Sequence, residues 1–187
     1  NPETNGFGPF NNAWLLLKSE TDPTQYAIAI RGTVGEAHSI IADTLITTTA
    51  AQSGITLNDG RLLPITFAAT PQAELHLGFA YAAFTKLPDN AKLFITGHSQ
   101  GAAIATLVHS FLYYAITDAT DRYQLNLKLK QADNTGVQLK SYFFAQPKPG
   151  NLQYAEDFAR IAKDVSYTVN NDLDPVPQVP LSIQLLS

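Results

Sequence analysis

Residues 92–107 read KLFITGHSQGAAIATL, and this stretch decides the fold. Residues 93–95 form an apolar run with the composition of a buried strand, and the small and apolar residues 102–107 are typical of a helix. Between them lies GHSQG at 97–101, a G-x-S-x-G pattern. A chain that turns abruptly from strand to helix crowds its backbone, and the two glycines relieve the crowding while the central serine sits on a strained turn with its hydroxyl pushed out. We therefore predict that Ser99 is a nucleophile.

The composition limits the classes of function. The chain has 187 residues, a formal net charge of -4 and no Cys. No basic stripe marks a nucleic-acid surface, so no nucleic-acid partner is expected. The absence of Cys removes disulfides, thiolate catalysis and zinc-thiolate sites, and neither a metal nor a cofactor is predicted. A chain of this length suits one domain with a sizeable core, and residues 1–187 are predicted to form a single, partial domain.

Alternating strand and helix patterns predict the α/β class. An antiparallel pair is expected first, at 13–18 and 26–31, around a turn at Asp22-Pro23. Residues 123–130 alternate between apolar and polar side chains, which predicts a strand that forms a hairpin with the next one. The alternation as a whole favours a mostly parallel central sheet with helices on both faces. The other strands are predicted at 63–67, 92–96, 137–145 and 165–169, and the helices at 78–87, 100–116 and 152–162.

Polar residues follow the predicted strands, where ligands bind in an open α/β sheet. They are Thr33, Ser99, residues 146–149, Asp172 and Asp174. An attacked ester builds negative charge on its carbonyl oxygen, and donors for it are available in the Gln100 N–H at a helix N-terminus and in the N–H and hydroxyl of Thr33. Asp172 and Asp174 compete as the carboxylate that orients a base. The plainer interpretations are a turn residue for Thr33 and a solvated loop for both carboxylates.

Four motifs together resemble the landmarks of the class 3 (fungal-type) lipase family. They are IRGT at 30–33, GHSQG at 97–101, FAQPKPGN at 144–151 and DPVPQVP at 174–180. The resemblance implies an α/β-hydrolase fold, incomplete at the C-terminus, and hydrolysis of carboxylic ester bonds in lipids. It places the catalytic carboxylate at Asp174, with Asp172 as the alternative, and assigns Thr33 and Gln100 to the oxyanion hole. A leucine is commoner at the position of Gln100 in this family.

The resemblance also indicates a lid-like segment at residues 38–45, which would lie over the site in water and move aside at a lipid surface. Asp43 matches an acidic position of that segment and could hydrogen-bond the Thr33 hydroxyl, although an exposed helix carboxylate is an equal alternative. The expected substrate-binding and lid residues are Val34, Ile40, Ile41, Pro147 and Val176.

The base of a Ser-His-Asp mechanism is missing from this pattern. In the α/β-hydrolase fold the histidine follows the aspartate, and no His follows Asp174. His98 is adjacent to Ser99 on a turn that separates neighbouring side chains, and His109 lies ten residues down the helix, about 15 Å away at 1.5 Å per residue. His76 matches a structural position of the family, and His38 lies on the mobile segment. We therefore expect the base on a further segment of the same protein, removed or carried as another chain, since Met is also absent from the sequence.

The sequence thus predicts a serine hydrolase, a triacylglycerol lipase or carboxylesterase acting through an acyl-serine intermediate. Its expected partners are a lipid or small ester, a transient lipid interface and a second fragment that carries the histidine. Two alternatives stay open: another acyl transfer, such as thioesterase or acyltransferase activity, and a hydrolase-fold binding protein without catalysis. The resemblance favours secretion.

Overall fold

The computed structural model describes residues 13–32, 49–50, 66–67, 87–121, 125–129, 131, 133 and 135–178. Its main sheet has five strands: β1 (Trp14–Lys18), β2 (Gln25–Ile30), β5 (Lys92–His98), β6 (Gln138–Phe144) and β7 (Ser166–Val169). A separate antiparallel pair consists of β3 (Thr49–Ala50) and β4 (Thr66–Phe67). The order in the main sheet is β1-β2-β5-β6-β7.

The mostly parallel sheet predicted from the sequence is confirmed. Strand β1 pairs antiparallel with β2, and the turn between them contains Asp22 as predicted. The three other pairings in this sheet are parallel. Parallel neighbours bring their carboxyl ends to one edge, so the segments that follow β2, β5, β6 and β7 all emerge there.

The core lies between one face of the sheet and two helices, α1 (Gln100–Thr117) and α2 (Leu152–Ile161). Because side chains alternate along a strand, Ile28, Ile95 and Phe143 point to the same face, where α1 packs on them. Phe158 of α2 contacts Phe143 on that face, with ring centroids 6.0 Å apart. The described parts of both helices therefore cover one face.

The opposite face carries apolar side chains that are partly open to solvent. They include neighbours on adjacent strands, since Tyr142 of β6 stacks on Tyr167 of β7 at 5.5 Å between ring centroids. The helix predicted at 78–87 would be a cover for this face, but all of it except Leu87 lies outside the described residues. None of the described helices is long and apolar enough to span a membrane. The most exposed apolar residues of this face are Leu15, Leu17, Phe144, Tyr167 and Val169.

An ion pair joins the β1–β2 turn to the start of β5. Asp22 Oδ2 lies 2.9 Å from Lys92 Nζ, and Thr24 Oγ1 donates to Asp22 Oδ1 at 2.6 Å. The hydroxyl of Thr24, followed by the ammonium of Lys92, lowers the pKa of Asp22 to about 2. This pair fixes the register between strands whose residues are 70 positions apart in the sequence.

The hairpin predicted from residues 123–130 is wrong. Leu125 and Leu127 are buried, as the alternation indicated, but residues 125–128 form no strand. An isolated bridge between Leu129 and Val137 and single backbone hydrogen bonds, such as Val137 N–H to the Lys128 carbonyl at 2.6 Å, connect this segment to the next. Asp121 accepts hydrogen bonds from the backbone N–H groups of Leu125 and Asn126, which a partner strand would otherwise use. Asn126 also has φ 51°, which breaks the extended backbone.

Candidate active site

Ser99 sits at an abrupt corner between β5 and α1. Strand β5 ends at His98 and α1 begins at Gln100, so Ser99 is the single residue between them. Its φ is 57° and its ψ is -131°, a backbone conformation that costs a non-glycine residue of order 1–3 kcal/mol. Such strain is found where the surrounding structure holds a functional residue in place. The strained turn predicted at this serine is therefore present.

The two glycines of the pattern allow the chain segments at this corner to touch. A Cβ on Gly97 would collide with the backbone carbonyl of Gly101, and a Cβ on Gly101 would collide with the backbone carbonyl of Ile30. Side chains at either position would push α1 away from β5 and from the end of β2. The glycines thus set the position of Ser99 relative to both strands.

Backbone hydrogen bonds hold Ser99 further. Its N–H donates to the Phe144 carbonyl at 2.9 Å, which ties the corner to the end of β6, and its own carbonyl accepts from Ala102 N at 2.9 Å. The side chain forms no cap hydrogen bond with α1. Ser99 as a whole residue is only 8% exposed.

Of the two residues predicted for the oxyanion hole, the structure describes one. Gln100 is the first residue of α1 and is buried, at the positive end of an 18-residue helix. Thr33 lies outside the described residues. Its neighbour Gly32 lies against the corner, since a Cβ on Gly32 would stand 2.6 Å from the His98 carbonyl and 3.3 Å from Ser99 Cβ. The segment that leads to Thr33 thus passes beside Ser99.

The two candidate carboxylates differ in how firmly they are held. Asp174 is half-buried, and its Oδ1 accepts a hydrogen bond from the Val176 N–H at 2.9 Å. Its own N–H donates to the Asn171 carbonyl at 3.0 Å in the loop after β7. Asp172 is exposed, and its side chain forms no hydrogen bond with any described residue. A carboxylate that orients a base must itself be oriented, and Asp174 meets that requirement better.

A cavity of about 460 Å³ opens near the carboxyl edge of β6 and β7. Pro147 lines it, and so does Pro177, which lies next to Val176 in the 3-10 turn Val176–Gln178. Ser99 is absent from its lining. The other predicted substrate and lid residues, Val34, Ile40 and Ile41, lie outside the described residues, as does Asp43.

The described histidines do not supply the base. His109 is 1% exposed, and its Nδ1 is hydrogen-bonded to Ser141 Oγ at 2.9 Å, on the sheet face below α1. Burial lowers its pKa to about 4. His98 is exposed at the end of β5 and forms no side-chain hydrogen bond with a described residue. His38 and His76 lie outside the described residues.

A glutamine that the sequence reasoning left without a role organises this edge of the sheet. Gln146, directly after Ala145, donates from Nε2 to Thr106 Oγ1 at 2.6 Å and accepts at Oε1 from Thr168 Oγ1 at 3.1 Å. It therefore joins α1 to β7 across the end of β6. The sequence signal for Gln146 was its position directly after a predicted strand. Residue type alone does not distinguish a glutamine whose amide joins two elements from one whose amide is solvated.

The strand–serine–helix corner and the mostly parallel sheet are typical of the α/β-hydrolase fold. A profile of the family described as Lipase (class 3) matches residues 27–183, and the chain belongs to this family. A search of curated proteins found no match.

Solved lipase structures share the fold. The chain is similar to M37 lipase, with a TM-score of 0.69 and 18% identity over 92% of this chain and 52% of that one. It is also similar to the lipase of Rhizomucor miehei in its propeptide complex, with a TM-score of 0.64 and 19% identity over 94% of this chain and 50% of that one. The comparison with lipase II from Rhizopus niveus gives a TM-score of 0.63 and 17% identity over 94% of this chain and 58% of that one. The chain thus spans about half the length of the structures it matches.

Proposed function

We propose that the protein to which this chain belongs hydrolyses carboxylic esters of lipids, with Ser99 as the nucleophile. The observation that carries the proposal is the conformation of Ser99 between β5 and α1, held by Gly97 and Gly101. Membership of the lipase family supports the substrate class. A lipid or small ester is the proposed substrate, met at a transient lipid interface, and the family resemblance supports secretion.

The proposed reaction proceeds through an acyl-serine. Ser99 Oγ attacks the ester carbonyl carbon as a base takes the hydroxyl proton, and the oxyanion accepts hydrogen bonds from the Gln100 N–H and from Thr33. Collapse breaks the bond to the alkoxy group, which leaves as an alcohol with the proton from the base. Water, deprotonated by the same base, then attacks the acyl carbon and releases the carboxylic acid. Asp174 orients the base and stabilises its cationic form.

The base in this proposal is an imidazole from outside the 187 residues. Two observations support this: His109 is buried against Ser141, and the chain spans about half of the lipase structures that it matches. The half that this chain does not span would carry the imidazole and act as a partner of this one.

Chemical rescue tests the role of Ser99 in the chain as it stands. Free imidazole should raise the rate at which the chain hydrolyses p-nitrophenyl butyrate, because it can replace a missing base beside an intact nucleophile. The Ser99→Ala variant should give only the background rate of imidazole itself. Ser99 makes no side-chain cap bond, so this variant should stay folded. If the rates of the two proteins agree at every imidazole concentration, the proposed nucleophile is wrong.

The same assay separates the base from the nucleophile. Without imidazole, the chain should hydrolyse the ester no faster than Ser99→Ala does. Full turnover by the isolated chain would contradict an external base while leaving Ser99 as nucleophile. A purely binding protein would show neither the rescue nor labelling of Ser99 by a fluorophosphonate in the presence of imidazole. Rescue with an acyl thioester but not with the oxygen ester would favour a thioesterase.

A further inference from the structure

Two residues at the carboxyl edge of the sheet have a backbone conformation that their residue type disfavours. Of the five described residues other than glycine with a positive φ, three are Asp or Asn, which tolerate it. The other two are Ser99, directly after β5, and Ala145, directly after β6, with φ 57° and 49°. Strain of this kind persists where the surrounding structure holds a residue in place. The segment that Ala145 leads into therefore needs an explanation, as Ser99 does.

The next residue, Gln146, has an amide whose orientation is fixed by its neighbours. The Thr106 hydroxyl donates to the Ala102 carbonyl at 2.9 Å, and a hydroxyl has one proton to donate. Thr106 Oγ1 must therefore accept from Gln146 Nε2, which lies at 2.6 Å. The amide oxygen is then directed at Thr168, whose Oγ1 donates to it at 3.1 Å. One end of the amide is thus used on α1 and the other on β7.

On the α1 side, the hydrogen bonds lead from the amide to the turn that begins at Ser99. Thr106 is buried, with 1% of its surface exposed, which limits competition from water for its hydrogen bond to Gln146. The hydroxyl of Thr106 is bonded to the carbonyl of Ala102, and the N–H of Ala102 donates to the Ser99 carbonyl at 2.9 Å. The amide of Gln146 is therefore tied to the first turn of α1.

On the β7 side, two hydrogen bonds of Gln146 hold the start of the loop that carries Asp174. The side chain accepts from Thr168 in β7, and the backbone N–H donates to Asn170 Oδ1 at 3.2 Å, directly after this strand. The loop continues through Asn171, whose carbonyl accepts from the Asp174 N–H at 3.0 Å. Gln146 is therefore bonded to the strand end from which this loop begins.

We propose that Gln146 is a positioning residue, whose amide fixes the loop that carries Asp174 relative to the turn that carries Ser99. This role rests on the proposed ester hydrolysis, in which Asp174 orients the base that serves Ser99. Gln146 acts through Asp174 and takes no part in proton transfer. A displacement of about 1 Å between groups that act together can lower a rate about 10²-fold, so a link that sets their relative position affects turnover.

Amide hydrogen exchange on the 187-residue chain tests whether Gln146 holds the loop, without a catalytic assay. Gln146→Met keeps the length of the side chain but removes both hydrogen bonds of the amide. The loop N–H groups of Leu173, Asp174 and Val176 should then exchange about three- to tenfold faster. This increase should exceed that of the amides in the interior of α1, which report any general loss of stability.

Matched variants separate the hydrogen bonds from the effect of substitution itself. Thr168→Val removes the donor to Gln146 Oε1 and should also speed exchange in the loop, whereas Thr168→Ser keeps a hydroxyl and should retain the protection. Gln153→Met makes the same change at an exposed position of α2 and should leave exchange in the loop as it is. The pair at Thr168 also keeps the test valid if Gln146→Met does not fold.

A double-mutant cycle in the proposed esterase, assayed with its base present, tests whether Gln146 acts through Asp174. Gln146→Met alone should lower kcat for a short-chain ester about ten- to hundredfold, with KM within about twofold of the unmodified value. In the Asp174→Asn background the same substitution should change kcat by less than about twofold. A positioning residue has no further effect once the group that it positions is removed.

The outcomes distinguish this role from the proposed function. Unchanged loop exchange in both Gln146→Met and Thr168→Val would show that the amide does not hold the loop. Equal effects of Gln146→Met on kcat with and without Asp174→Asn would show that it does not act through Asp174. Loss of activity in Asp174→Asn but not in Gln146→Met would reject the positioning role alone, whereas full activity in Ser99→Ala and Asp174→Asn would reject both proposals.

Discussion

At the scale of single residues, Ser99 has a strained backbone conformation that lowers the stability of the fold. Its φ of 57° and ψ of -131° suit glycine, and the side chain makes no compensating cap bond. A serine in this conformation is retained at a cost of order 1–3 kcal/mol, and the structure offers no packing reason for it. The nucleophile interpretation supplies the missing reason.

Replacing Ser99 by glycine should therefore stabilise the chain. We expect Ser99→Gly to unfold at a higher urea concentration than Ser99→Ala, by about 1 kcal/mol, because glycine adopts this backbone conformation without strain. Both variants lack the hydroxyl, so the comparison isolates the backbone. Equal unfolding midpoints would show that no strain is stored at this corner.

The two carboxylates after β7 give a matched pair of substitutions. In the proposed esterase, assayed with its base present, Asp174→Asn should lower kcat for a short-chain ester by about 10⁴-fold, since an amide holds the base in the wrong tautomer. Asp172 is exposed, so Asp172→Asn should leave kcat within about twofold of the unmodified value, as expected of a solvated side chain. The reverse pattern would make Asp172 the orienting carboxylate.

The buried His109 predicts a pH dependence of stability. Its pKa falls from 6.5 to about 4 in the folded chain because burial disfavours the cation. Between these values the unfolded chain binds a proton that the folded chain does not, so stability is complete above pH 6.5 and decreases as the pH falls towards 4. The full loss is about 3 kcal/mol.

Urea unfolding across this pH range would measure the slope. His109→Phe should flatten the dependence, because it removes the group that titrates differently in the two states. A steep slope that persists without His109 would assign the effect to other groups.

At the scale of secondary-structure elements, the two helices begin in different ways. Helix α2 has a side-chain cap, since Asn151 Oδ1 accepts from the Tyr154 N–H at 3.0 Å. Helix α1 has none at Ser99. Burial of Ala102, Val108 and Leu112 stabilises this helix.

This contrast predicts that alanine substitution at the two N-cap residues has different effects on stability. Asn151→Ala should lower the free energy of unfolding by about 1 kcal/mol through the lost cap of α2. Ser99→Ala removes no cap bond from α1, and it should leave the unfolding midpoint unchanged. Thermal unfolding of both variants beside the unmodified chain would measure the difference, and an equal loss in both would contradict the capping argument.

The elements also show which patterns in the sequence carry structural information. The apolar run before Ser99 and the small residues after it predicted β5 and α1 almost to the residue, because local composition and burial agree there. Alternation failed at 125–128, because it reports only which side chains are buried. Whether a buried alternating segment becomes a strand depends on a partner, and here Asp121 takes the backbone donors.

At the scale of the whole molecule, contacts between distant residues set the limits of prediction. Ser141 stands in β6 in phase with the buried Leu139 and Phe143, so a polar residue in the core was readable from the sequence. Its partners His109 and Ser166 were not, because α1 and β7 meet β6 only in the folded sheet. The same holds for the bridge made by Gln146.

The ion pair between Asp22 and Lys92 has a consequence for the order of folding. It joins residues 70 positions apart, the parallel pairing of β2 with β5 also joins distant parts of the chain, and closing such a loop costs chain entropy before any contact compensates for it. Gly101 touches the end of β2, so the corner at Ser99 is complete only after this closure. The proposed nucleophile would therefore form late in folding, and chains stalled before that step would have α1 but not the strained corner at Ser99.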